Sequence, residues 1–238
     1  MKTYIVLLSL SAGLAQGVQA QSSCSSDGQA TPTLLLERFI SADCESCWSV
    51  PTDTAVANGA LTLDWIVPSD QADEAPLSAA AHRDALMRLA ALGQPVPRTQ
   101  LQISHPVAAS PTQHLRVAHG LVYGGYIGAS IGLTADAADS WPPQTQPALT
   151  AYLVLVESIP AGSEGTPIAR NLVRNVLLLD WRQSEPLAKT AQNPFYEMRP
   201  LNVPPGASPQ RLRVLGWVQD AAGRVLNAAQ SVCAQQPR

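Results

Sequence analysis

The 238-residue chain lacks most of the patterns that announce a function. It has no surplus of basic residues: 15 lysines and arginines stand against 18 acidic residues, a formal net charge of −3, so no nucleic-acid surface is expected. Beyond the N-terminus no apolar stretch reaches the roughly 20 residues a transmembrane helix needs, so no integral membrane span is expected. There is no Gly-x-Ser-x-Gly elbow and no His-Glu-x-x-His pair, which leaves hydrolase and zinc-peptidase readings without a motif. Gly124, Gly125, Gly128 and Gly132 do not fit Gly-x-Gly-x-x-Gly, so no dinucleotide site is expected. His82, His105, His114 and His119 form no tight ligand spacing, and on one strand His114 and His119 would face opposite sides. The chain is therefore expected to need no metal and no organic cofactor. What remains is an ordinary globular composition, 46% hydrophobic and 14% charged, with 20 prolines that favour loops and edges over long helices.

The N-terminus is the first positive signal. Lys2, the apolar run Tyr4 to Leu10 and the ending Val18-Gln19-Ala20 read as a Sec-type signal peptide over residues 1–20, with a mature start at Gln21. The segment before Cys24, Gln21-Ser22-Ser23, lacks the leucine of a lipidation site. A periplasmic or secreted protein is the expectation.

Cysteine is scarce, at four residues, and in an exported chain scarce cysteines are more often disulfides than a metal site. Four cysteines allow three pairings. If Cys44 closes on Cys47, the remaining bond is Cys24–Cys233, a structural disulfide.

The stretch Thr33 to Pro51 organises the rest. Leu34-Leu35-Leu36 and Phe39 make an apolar run of strand length, Ser41-Ala42-Asp43 breaks it, and Cys44-Glu45-Ser46-Cys47 opens a helix. A strand, a turn and a Cys-x-x-Cys at a helix start is the thioredoxin-like arrangement, in which backbone N–H groups stabilise the first thiolate. Cys44 is then the exposed, attacking sulfur and Cys47 the resolving one. Asp43 and Glu45 oppose that stabilisation by like-charge repulsion, which predicts a weak oxidant.

Further along, Trp48 to Asn58 is expected as a short helix, Ala60 to Val67 as a strand, and Ala79 to Leu92 as a helix capped by Ser78. Leu101 to Ser104 and Leu115 to Ala118 read as short strands, and Gly124-Gly125 as a hairpin or bulge. Trp141 to Pro147 makes a linker. In the rear third Leu149 to Ser158, Ile168 to Asp180, Leu212 to Gln219 and Arg224 to Val232 are β-rich without intervening helices, which predicts an antiparallel sheet or small sandwich. Glu185 to Pro209, with its prolines, reads as a meandering connection. Arg170, Arg174 and Arg182 are either an anion-binding set or charges on the wet face of a strand.

The opening LLLERFISADCESCWSVPTD resembles the start of a group of exported bacterial thioredoxin-like proteins classed as a domain of unknown function. Members typically begin with a Glu-Leu-Phe-Thr strand followed by Cys-x-x-Cys-Pro-Pro. Glu164-Gly165 to Trp181 and Val218-Gln219-Asp220 to Ala229 are similar to the family's β-rich tail. Trp48-Ser49 replace the two prolines, and Ile66 to Asp70 replaces an aromatic-histidine-aspartate stretch. The resemblance implies an α/β fold: a signal peptide (1–20), an N-terminal segment (21–32), a thioredoxin-like domain (33–147) and an appended antiparallel β-rich unit (148–238). It also implies a cis-proline beside the cysteine pair that binds substrate backbone, for which Pro111 is the best-matching position and Pro106 the competitor.

Two functional readings follow. One is a thiol–disulfide oxidoreductase working on a protein thiol or disulfide partner through Cys44 and Cys47. The alternative is a non-enzymatic exported binding or structural domain braced by its disulfides.

Overall fold

The structure, a computed structural model, describes residues 24–50, 58–136, 147–181 and 195–233. In chain order its strands and helices are β1 (Cys24–Ser25), β2 (Leu34–Ser41), α1 (Glu45–Ser49), β3 (Ala60–Val67), α2 (Arg83–Ala91), β4 (Gln100–Pro106), β5 (Gln113–Tyr123) and β6 (Tyr126–Ala135). They continue with β7 (Leu149–Ile159), β8 (Arg170–Asp180), β9 (Tyr196–Asn202), β10 (Leu212–Asp220), β11 (Val225–Gln230) and β12 (Val232–Cys233). Seven strands form one sheet in the order β11-β10-β7-β8-β3-β2-β4, and five form a second in the order β12-β1-β5-β6-β9.

Strand alternation builds the core. Along β7, Leu153 and Leu155 meet Val117, Ile127 and Ile131 of the five-stranded sheet. Tyr152, Val154 and Val156, on the opposite face, meet Trp65, Leu89 and Trp217 under α2. Such a doubly covered strand reads as a continuous apolar run, as LTAYLVLVESI does. Each large apolar side chain so buried contributes roughly 1.5–3 kcal/mol. Gly216 lets the two sheets come together: a Cβ there would lie 2.7 Å from Val117 Cγ1 and 2.8 Å from Ile131 Cδ1. The β5–β6 hairpin turns on Gly124 and Gly125, whose φ values of 57° and 80° are those of a type I′ turn.

The expected α/β thioredoxin-like fold is overturned. Among the described residues there are two α-helices, of five and nine residues, against twelve strands, so the fold is β-rich. Locally the strand readings of β2 and β3 hold, and the two pair in parallel over their whole length. In place of further helices, a second sheet covers much of one face. Both sheets draw strands from either side of residue 147, the expected domain boundary.

Smaller expectations also change. α1 ends at Ser49, because Val50 is extended at φ −104°, ψ 136°, and residues 51–57 lie outside the described ones. The second helix starts at Arg83, not Ala79: His82 caps it by accepting a 3.3 Å hydrogen bond from the Asp84 N–H through Nδ1, while Ser78–Ala80 is a separate 3-10 turn. The proline-rich connection contains β9, an edge strand that tolerates Pro200. The expected signal peptide, the linker residues 141–146 and Arg182 lie outside the described residues. Among those residues no helix is long and apolar enough to cross a membrane.

Candidate functional site

Two disulfides are present, Cys44–Cys47 and Cys24–Cys233, with Cα separations of 5.3 and 3.9 Å. Both pairings match the reading from the sequence. Cys24–Cys233 joins the short strands β1 and β12, where the two residues stand directly opposite each other. Closing so long a loop stabilises by about 5 kcal/mol in the chain-entropy account.

Cys44 and Cys47 sit where β2 leaves the sheet. The backbone is pinned there on both sides, since Ser41 N–H donates to the Thr99 carbonyl (2.7 Å) and Ala42 N–H to the Val67 carbonyl (2.9 Å). Cys44 is the residue before α1, and with only five residues the helix offers its sulfur little dipole stabilisation. Exposure reverses the expected order of the two sulfurs: Cys44 is buried at 9%, whereas Cys47 is partly exposed. The Ser46 hydroxyl lies 3.5 Å from Cys44 Sγ. Asp43 and Glu45 are both exposed, and Asp43 accepts a 2.6 Å hydrogen bond from the Ser69 hydroxyl.

Beneath the pair lies a charge cluster that no motif announced. Asp64, fully buried on β3, pairs with Arg38 of β2, whose Nη2 donates at 2.9 Å and whose Nε lies 2.8 Å from Oδ1. Asp64 also accepts from Arg170 Nη1 at 3.0 Å and from the Asn171 N–H at 2.9 Å. Arg170 then reaches out of the sheet. Its Nη2 donates to the carbonyls of Cys47 (3.2 Å) and Trp48 (2.9 Å), and its guanidinium lies 5.0 Å from the centre of the Trp48 ring. Burial lowers the Arg170 pKa, with Arg38 acting in the same direction and Asp64 opposing. Trp48 is held a second time, its Nε1–H donating to the Glu164 carbonyl at 2.8 Å. Glu164 turns that carbonyl inward from a left-handed backbone, φ 48°.

Next to this cluster runs a groove of about 330 Å³ lined by Trp48, Ile66, Leu77, Ile159, Leu172 and Arg174. A hollow of about 260 Å³ adjoins it, sharing Ala79, Ala80, Arg174 and Pro205. Cys47 packs against the apolar cluster of Ile40, Ala42, Trp48, Ile66, Ala75, Ile159 and Leu172, four of whose members, Trp48, Ile66, Ile159 and Leu172, also line the groove.

The arginines at 170 and 174 form neither an anion site nor a wet face. Arg170 belongs to Asp64, and Arg174 donates at 2.9 and 2.6 Å to Glu157, a buried carboxylate that Arg211 and the Ser208 N–H also hold. Burial alone would raise the Glu157 pKa, and these hydrogen bonds and charges bring it below the ordinary range. Pro111 is corrected as well: no described peptide bond is cis, and Pro111 lies in the loop before β5, in the other sheet. Thr99 occupies the place beside the cysteine turn, because β4 is the antiparallel neighbour of β2 and Thr99 immediately precedes it. Pro106 ends β4 opposite Leu34, at the far end of β2 from the cysteines.

Arg38, Asp64 and Arg170 went unrecognised as a set, although charges inside the apolar runs LLLERFIS and ALTLDWIV were a readable sign, since buried charges are normally paired. No family model and no curated protein matches the chain.

Proposed function

We propose that the chain is an exported protein that exchanges disulfides with protein thiols through Cys44 and Cys47. The observation that carries this reading is the placement of the Cys44–Cys47 disulfide, with Cys47 partly exposed and packed on the apolar cluster that shares Trp48, Ile66, Ile159 and Leu172 with the groove. A partner thiolate attacks Cys47 Sγ, forms a mixed disulfide and releases Cys44 as a thiolate, which accepts a hydrogen bond from Ser46 before taking a proton. The partner's second thiol, losing its proton, displaces Cys47. Two electrons and two protons pass from the partner dithiol to the pair. This order exchanges the roles expected from the sequence, because the sulfur that meets a partner must be reachable. The apolar run after Lys2 and the two disulfides support export to an oxidising compartment.

A second reading, an inert domain braced by disulfides, is favoured by the anchoring of α1 through Arg170 and Trp48. A glutathione redox titration with thiol alkylation and peptide mapping separates them. Exchange predicts that Cys44–Cys47 equilibrates with glutathione in the folded protein; a pair that is reduced only when the chain unfolds would establish the brace.

A further inference from the structure

We propose that reduction of Cys24–Cys233 converts that disulfide into a zinc site made of Cys24, His119 and Cys233, with a fourth position open to water. The three residues come from three adjacent strands of the five-stranded sheet, β12, β1 and β5. Cys24 stands opposite Cys233 on one side and His119 on the other. One ligand atom from each lies within 4.8 Å of the others. A tetrahedral zinc ion with bonds of ~2.3 Å to sulfur and ~2.0 Å to nitrogen holds its donors roughly 3.5–3.8 Å apart, a distance that side-chain rotation supplies once the S–S bond is open.

His119 is the independent observation. It is 4% exposed, and its buried Nε2 has no hydrogen-bond partner among the described residues. A buried nitrogen in that state is desolvated without a hydrogen bond in return and calls for a reason. Its other nitrogen, Nδ1, lies 2.9 Å from the Gly120 carbonyl. A carbonyl only accepts, so Nδ1 carries the proton and a neutral ring presents a bare lone pair at Nε2. That is the tautomer a metal takes, with the ring oriented by a backbone carbonyl as metal-bound histidines are. Two thiolates and an imidazole with an open position form one of the known three-ligand zinc sets.

The chemistry balances with a named reductant. A phosphine and one water convert the disulfide into two thiols and a phosphine oxide; binding Zn²⁺ then releases two protons.

The test uses the full chain carrying Cys44→Ser and Cys47→Ser, so that the second pair cannot chelate. After phosphine reduction without oxygen, Co²⁺ is expected to give a thiolate charge-transfer band saturating at one equivalent and displaced by one equivalent of Zn²⁺. The unreduced protein is expected to give none. His119→Ala in the same background should still form the disulfide and should weaken zinc binding more than ~100-fold, beyond the ~10–100-fold that losing an outer-shell partner costs. Absence of binding after reduction overturns the site, as does binding unchanged in His119→Ala. Loss of near-ultraviolet circular dichroism in the zinc-bound reduced chain also overturns it, since the metal would then be held by unfolded thiols.

Discussion

Glu37 and Arg38 are neighbours in sequence and point to opposite faces of β2, where each enters a different buried ion cluster. On the α1 face one anion, Asp64, serves two cations, Arg38 and Arg170. On the α2 face the anion is Glu37, held by Arg88 (Nη2, 2.7 Å; Nε, 3.1 Å), by Trp65 Nε1–H (3.1 Å) and by His105 Nε2 (3.0 Å). Arg88 there also lies 4.7 Å from the ring centre of Tyr152. The first cluster keeps an uncompensated positive charge and spends hydrogen bonds on the backbone of the cysteine turn. The second balances with a single permanent cation, and its histidine, 16% exposed on edge strand β4, meets solvent. The same structural device thus serves different ends. The α1 cluster holds the backbone of the cysteine turn, whereas the α2 cluster fastens a helix to a sheet.

The largest effect expected is from Asp64→Ala, which strands two buried arginines. Removing one partner of a buried pair costs ~3–5 kcal/mol, so urea unfolding should show a loss at or above the top of that range. Glu37→Ala strands one arginine, and a loss of ~3 kcal/mol is expected. Equal losses would erase the difference drawn between the faces.

The α2 face also has its own pH dependence. Burial by itself raises the Glu37 pKa, and the hydrogen bond from His105 with the charge and hydrogen bonds of Arg88 outweigh it, so the folded value lies below the unfolded ~4.3. The unfolded chain then binds the proton more readily. Its stabilisation is complete above the unfolded value and is lost as pH falls through the folded one. Urea titrations from pH 7 to 3 should show a steeper acid loss for the parent than for Glu37→Gln.

Arg170→Met should separate the two faces functionally. It removes the cation whose guanidinium bonds the Cys47 and Trp48 carbonyls, leaving the reduced, thiolate-bearing form less favoured. The Cys44–Cys47 potential should fall by roughly 30 mV if about 1.4 kcal/mol is involved. Arg88→Met should destabilise the fold and leave that potential unchanged; glutathione titration of both variants is the measurement. The smallest effect is His105→Ala, which deletes one hydrogen bond to a charged partner that keeps others, at a cost of ~1–2 kcal/mol in urea unfolding.

What the chain alone determined were the features that depend on neighbours in sequence. The parallel strands flanking the cysteine turn follow from apolar runs of strand length. The Gly124-Gly125 hairpin follows from two residues free to take positive φ. The two disulfide pairings followed from counting, once the close pair was closed. What the tertiary structure alone decided was which strands share a sheet and which charges meet. Arg38, Asp64 and Arg170 stand on three strands, the last of them 106 residues beyond Asp64. No local period records that they converge, because burial and pairing of a charge depend on the partner that the fold brings. The same holds for Thr99 taking the place beside the cysteines that Pro111 was expected to fill, and for the second sheet covering a face that helices were expected to cover. Sheet membership is settled by which apolar faces can be buried together, a property of the whole chain and not of any one segment.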